Sequence, residues 1–295
     1  MISGALRKRE STGKGRCEER VKWLEFLLDH TPRLSDRPGV YGGFHVGALI
    51  TVLILFFLLI LFRKRLPRGE RALRRTLWVF ALGLLLLEIG KQVVYSYDPQ
   101  TGWSYDWSRF PFQFCSTPIY IALLAAPLHD GKLRRALLCF LATYSPVAGC
   151  AVLFWPSPDV FSPILFLDIH TMIWHGAMLL FGLYLWLSDH VQPVIRTAWS
   201  AFLVYLPMNF VALALNEAEH AFGFAGGDAF NMFYTSRYYT CHIPLLSWVQ
   251  QNAPYPVFFA SFVLLLGFGG LAVTLGFMLI RRARTWWETR RHSMA

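Results

Sequence analysis

At 295 residues, 55% hydrophobic and 16% charged, with mean hydropathy +0.40, the chain is too apolar for an ordinary soluble domain. Its formal net charge of +10 does not indicate nucleic acid, because the basic residues lie in short segments beside apolar runs, a pattern that orients membrane proteins. Five cysteines without a CxxC pair give no metal-ligand spacing, and nothing in the chain calls for a cofactor.

Residues 1–44 read as a polar N-terminal segment, disordered over residues 1–20. Arg7, Lys8, Arg9, Lys14 and Arg16 are followed by more charge, not by the apolar core of a signal peptide. Residues 21–28 place Trp23, Leu24, Leu27 and Leu28 on one helical face, which suits either a short interfacial helix or a cap on a bundle. Runs of about 18 or more apolar residues read as transmembrane helices, and continuous rather than alternating runs exclude a barrel. Seven spans are predicted: Val46–Phe62, Thr76–Tyr95, Pro111–Pro127, Leu133–Phe154, Pro163–Leu187, Thr197–Leu215 and Val257–Ile280. The expected fold is therefore all-α, a seven-helix transmembrane bundle over residues 45–280, with a basic cytoplasmic tail at 281–295.

Loop charge orients this bundle. Arg63, Lys64, Arg65, Arg68, Arg71, Arg74 and Arg75 follow the first span, and Lys132, Arg134 and Arg135 follow the third. The even-numbered loops hold only Arg109 and Arg237. Lysine and arginine favour the cytoplasmic side, so the N-terminus is expected outside and the C-terminus inside a multi-pass protein of the cell membrane. The loop at 216–256 is apolar enough to be expected partly folded into the outer mouth.

Ionisable and amide side chains inside spans are costly and mark candidate sites. The second span carries Glu88, Lys91 and Gln92, the third Gln113 and Cys115, the fifth Asp168, His170 and His175, and the sixth Asn209. A rise of about 1.5 Å per residue puts Glu88 and His170 roughly 10 Å below the outer surface, Cys115 about 5 to 10 Å and His175 about 15 Å below it. Glu88 and Lys91 share a helix face at i, i+3 and can pair. Cys115 reads either as a small buried hydrophobe, as half of a disulfide with Cys241, or as a thiolate nucleophile activated by a histidine. His175 is the first choice for that base and His170 the rival at matching depth. The two histidines are i, i+5 and lie on different faces, so no metal site is expected.

At these residues the chain resembles the YwaF-type family of bacterial integral membrane proteins and, more distantly, transmembrane protein 164 of animals. The resemblance rests on Glu88-Ile89-Gly90-Lys91, on Pro111 to Cys115, on His175-Gly176 and on Asn231-Met232, in that order. It implies a cysteine-dependent acyltransferase, or a thioesterase, acting on membrane lipids. Cys115 would carry the acyl group and His175 move protons, with Glu88, Lys91, Gln113, His170, Asn209 and Asn231 around them. Partners implied are membrane lipids, a lysophospholipid or an acyl-donor lipid. The chain departs from its relatives at Gln113, where bacterial members have histidine, and at Phe114 and Ser116, where the animal protein has proline and histidine. A non-enzymatic seven-helix receptor or sensor, and a small-solute transporter, remain the alternatives. The lack of an Asp-Arg-Tyr or Asn-Pro-x-x-Tyr motif argues against the first, and the apolar inner half of the spans against the second.

Overall fold

A computed structural model describes residues 22–157, 160–241 and 243–293. The expectation of disorder over residues 1–20 lies outside these. Residues 22–29 form a short helix, α1, with Trp23, Phe26 and Leu27 exposed. Then follow α2 (Gly43–Leu61), α3 (Glu70–Tyr95), α4 (Thr117–Ala125), α5 (Lys132–Phe154), α6 (Leu165–Leu187), α7 (Ile195–Phe222), α8 (Pro244–Asn252) and α9 (Tyr255–Ser293). A small hairpin pairs Tyr97 with Trp103 and Asp98 with Gly102 after α3.

Six of these helices are long and apolar enough to cross a membrane: α2, α3, α5, α6, α7 and α9. Their depth in the bundle differs sharply. The most apolar window of α5 is 72% buried and that of α6 61%, against 11% for α2 and 17% for α9. So α5 and α6 form the centre, and α2 and α9 present most of their surface to lipid. Glycines set the close approach of the central pair: a Cβ on Gly149 would stand 2.7 Å from the His175 carbonyl oxygen, and one on Gly182 2.1 Å from Pro146 Cγ. Pro146 has no N–H to give the carbonyl four residues back. The Trp186 indole N–H of α6 donates to that oxygen, on Ala142, at 2.7 Å, so the helix break and the helix contact satisfy each other.

The structure corrects the third predicted span. Pro111–Pro127 is not a membrane-length helix; it holds a 3-10 turn, Phe114–Ser116, and the nine-residue α4. Pro118 in the first turn allows α4 to begin but not to extend backwards. Upstream, the Phe114 carbonyl accepts from both the amide and Oγ1 of Thr117, closing the 3-10 turn, and the Cys115 carbonyl accepts from the Trp174 indole.

The segment nevertheless runs the length of α3. At one end Gln92 donates to the Arg109 carbonyl at 2.7 Å. At the other, Arg134 binds Glu70 at 2.7 Å and the Ala125 carbonyl at 3.1 Å. Glu70 and Gln92 stand about 33 Å apart along α3 at 1.5 Å per residue, whereas a helix from 109 to 125 would reach only about 24 Å. The chain makes up the difference with extended backbone around Phe110 and Gln113 and the 3-10 turn Phe114–Ser116, all but Ser116 of it partly buried.

Two predicted ends also move. α7 continues past Leu215 to a left-handed cap at Gly223 (φ 64°), and α9 continues through residue 280 to Ser293. Beyond α7 the chain folds over one end of the bundle, where Phe230, Met232, Phe233, Cys241 and Leu246 are buried with Phe258 and Phe262 of α9. Asn216 ties this cap down by accepting from the Met232 amide at 2.7 Å and donating to its carbonyl at 3.0 Å.

Candidate functional site

The stretch before α4 brings Cys115 against α3 and α6. Its carbonyl accepts from Trp174 Nε1 at 3.0 Å, its thiol is free, and the residue as a whole is partly buried. Cys241 is also a free thiol, buried in the outer cluster, so the alternative disulfide between them is not formed.

The Trp174 indole is the hub. It stacks with His170 one turn earlier (centroids 5.1 Å apart), and the Lys91 ammonium lies 6.0 Å from a Trp174 ring centroid. Lys91 Nζ sits 2.7 Å from Glu88 Oε1, and Gln92 donates to the same oxygen at 2.7 Å. Glu88, Lys91, Gln92, His170 and Trp174 therefore form one cluster, which the Cys115 backbone joins through its bond to the Trp174 indole.

His175 follows Trp174, about 100° further round α6. Its Nδ1 bonds to the Thr171 carbonyl at 2.8 Å. A carbonyl only accepts, so Nδ1 carries the proton and Nε2 keeps its lone pair. That Nε2 is buried and has no partner among the described residues, and the same holds for His170 Nε2 and Glu88 Oε2. Such atoms are rare in folded proteins, and two of these three lie on α6 within a turn and a half of each other, on either side of Trp174. No hydrogen bond joins the Cys115 thiol to either imidazole among the described residues.

The remaining predicted site residues play different parts. Gln113 donates to the Asn231 carbonyl at 2.9 Å and accepts from the Phe233 amide at 3.1 Å, while the Asn231 side chain accepts from the Ser236 amide at 3.0 Å. These two amides hold the stretch before α4 to the cap that follows α7. Asn209 is not brought to the cluster by any contact; it donates to the Tyr205 carbonyl at 2.8 Å within α7. Asp168 accepts from the Ser162 amide at 2.7 Å at the start of α6. Trp174 was missed by sequence reasoning. A tryptophan in mid-span, away from the interfacial belts, between two histidines was the available signal.

The Glu88–Lys91 pair gives a direct stability test. Both side chains are mostly buried, at 6% and 18% exposure, so removing one strands the other's charge. Lys91→Met is expected to cost about 3–5 kcal/mol, read as a lower melting temperature in detergent. The double change Glu88→Leu with Lys91→Met is expected to recover much of that loss. Equal losses in the two proteins would mean the pair is solvated.

Six helices long and apolar enough to cross a membrane define a polytopic integral membrane protein. A family model matches residues 40–272, and the chain belongs to the TMEM164 family. The matched range contains every predicted site residue from Glu88 to Asn231. No curated protein and no solved structure matches the chain.

Proposed function

We propose that this chain is a cysteine-dependent acyl-transfer enzyme of membrane lipids, with Cys115 as nucleophile and His175 as general base and acid. One observation carries the reading: a free thiol sits in the 3-10 turn that opens a short, interrupted apolar helix, and its backbone is bonded to a helix that offers a buried imidazole lone pair of fixed tautomer. Non-helical backbone at membrane depth is tolerated only where protein buries it or it lines a cavity, and it commonly marks a binding site.

The chemistry follows from these groups. His175 Nε2 takes the thiol proton, and the sulfur attacks the ester carbonyl carbon of a donor phospholipid. The C–S bond forms, the ester C–O bond breaks, and the leaving alkoxide takes the proton from the imidazolium, departing as a lysolipid. An acceptor hydroxyl, on a lysophospholipid, then gives its proton to the imidazole and attacks the thioester. The C–S bond breaks and the thiolate recovers the proton. With water as acceptor the same steps hydrolyse the donor, and with an acyl thioester as that donor, its thiolate leaving with the imidazolium proton, they give a thioesterase. Lys91 supplies positive charge near the thiolate. Hydrogen bonds between nucleophile and base often tighten only when substrate is bound, which accommodates the unbonded thiol here.

The reading counts Phe110–Ala125 as a seventh, broken crossing. It sets the basic loops and C-terminus in the cytoplasm, the N-terminal segment outside and the site in the outer half of the cell membrane. It extends to the YwaF-type proteins that the chain resembles.

The test is acyl transfer in proteoliposomes from a labelled phospholipid to a lysophospholipid. Wild type and His170→Ala are expected to form product, Cys115→Ala and His175→Ala not. Product formed by Cys115→Ala at the wild-type rate would refute the proposal; loss in His170→Ala with retention in His175→Ala would move the base to His170.

A further inference from the structure

The inner half of α2 carries a groove unconnected with Cys115. Leu55, Leu58, Leu59 and Phe62 line one wall and Leu180 of α6 the other, enclosing about 390 Å³. That volume lies in the range of ligand sites, about 300–1,000 Å³. Its lining is wholly hydrocarbon and aromatic. The groove opens outward, since Leu55, Leu58 and Phe62 are each about two-fifths exposed.

At its end the chain turns through Arg63, Lys64 and Arg65 in a single 3-10 turn. Four further arginines follow by Arg75, with Glu70 the only acid among them. Much of this charge is uncommitted. Arg68 is paired with Asp189, and Arg74 with Glu70, which Arg134 also takes. Lys64 and Arg65 are exposed and in no ion pair among the described residues; Arg65 instead lies over the Phe62 ring, 5.6 Å from its centroid. The cation and the groove thus share a side chain, Phe62. A ligand satisfying both has an apolar chain at membrane depth and an anion at the membrane surface. Clusters of four or more basic residues at the end of a span attract anionic lipid, and their pull falls off within a Debye length.

The geometry points to a site for one anionic phospholipid at the α2–α6 groove, its acyl chain along Leu55, Leu58, Leu59 and Leu180 and its phosphate on Lys64 and Arg65. The site stands apart from the acyl-transfer reading and does not need it. α2 is the least enclosed of the long helices, so a lipid seated there fills the gap between α2 and α6 and ties α2 to the bundle.

The test uses the full chain in phosphatidylcholine nanodiscs containing a trace of phosphatidylglycerol with a photoreactive acyl chain, and maps labelled peptides. Labelling is expected to concentrate on residues 55–62 and around Leu180. It is expected to exceed labelling by the matching phosphatidylcholine probe, and to fall on the order of tenfold in Lys64→Gln/Arg65→Gln. Leu59→Trp, which fills the groove with the charges intact, is expected to reduce it too. Leu86→Trp, on the lipid-facing side of α3, is expected to leave it unchanged. Labelling equal for the two probes, or spread evenly over α2, α3 and α9, would overturn the proposal. Cross-linking of the groove to a second copy of the chain would overturn it as well, by making the groove a contact between protomers.

Discussion

Cys115→Ala is expected to abolish covalent capture of an acyl group by the protein. Wild-type protein given an activated fatty-acyl ester should gain the mass of one acyl chain and lose it to neutral hydroxylamine, as a thioester does. In a background with Cys17→Ser and Cys139→Ser, the alanine variant should gain nothing, because Cys150 and Cys241 pack in other clusters. His175→Ala is expected to slow both gain and loss by about 10²–10⁴-fold, the usual contribution of a general acid–base. His170→Ala keeps Nε2 of His175 and its bond to Thr171, and so is expected to retain most of the rate. Lys91→Met separates charge from packing: slower capture in that variant with the same final acyl mass would indicate that the ammonium favours the thiolate. Labelling that persists in Cys115→Ala would leave the broken crossing without a nucleophile. In that case the free thiol is a packing residue, and the orphaned imidazoles need another explanation.

The six long helices were legible because lipid leaves no alternative: an apolar run of that length has to pair its backbone internally. The expected Val46–Phe62 and observed Gly43–Leu61 differ only at their ends. The third span failed for a local reason. Hydropathy averaged over Pro111–Pro127 does not register that Pro111 and Pro118 interrupt the helical ladder, nor that Gln113 spends its amide on the outer cap. The reach of α7 was underestimated because Asn216, Glu217 and Glu219 end the apolar run without ending the helix; only Gly223, in the left-handed region, does that. In the site, Glu88 and Lys91 stood out because charge in a span is conspicuous. Trp174 did not, since an aromatic ring in an apolar run carries no cost that a sequence reveals. His45 shows the converse. It sits at the start of α2, fully buried, yet accepts from the Tyr41 amide at 3.0 Å and reaches the Leu153 carbonyl at 2.9 Å. Both its nitrogens are engaged, which separates it from His170 and His175 although all three are histidines in apolar helices.

Gly182→Ala is expected to be the most damaging single-methyl substitution in the bundle. The new Cβ would fall 2.1 Å from Pro146 Cγ, 2.8 Å from its Cδ and 3.1 Å from the Leu141 carbonyl oxygen. A long side chain could swing aside, but a proline ring in mid-helix is fixed to its own backbone, so α5 and α6 must separate. Separation breaks the bond from Trp186 to the Ala142 carbonyl, which no amide is available to replace. It also opens the Gly149–His175 approach two turns away, and His175 moves with it. Overpacking usually costs about 1–3 kcal/mol, and a clash with rigid backbone belongs at or above the top of that range. A sharp fall in monodisperse protein and melting temperature is the expected readout. Pro146→Ala in the same chain removes both offending ring carbons and is expected to restore stability beyond additivity. Gly83→Ala is the control: its Cβ would meet nothing within 4 Å, and the change should be neutral or stabilising by about 0.5–1 kcal/mol. Should Gly182→Ala melt like Gly83→Ala, the central helix pair is not packed as described, and the position of His175 loses its foundation.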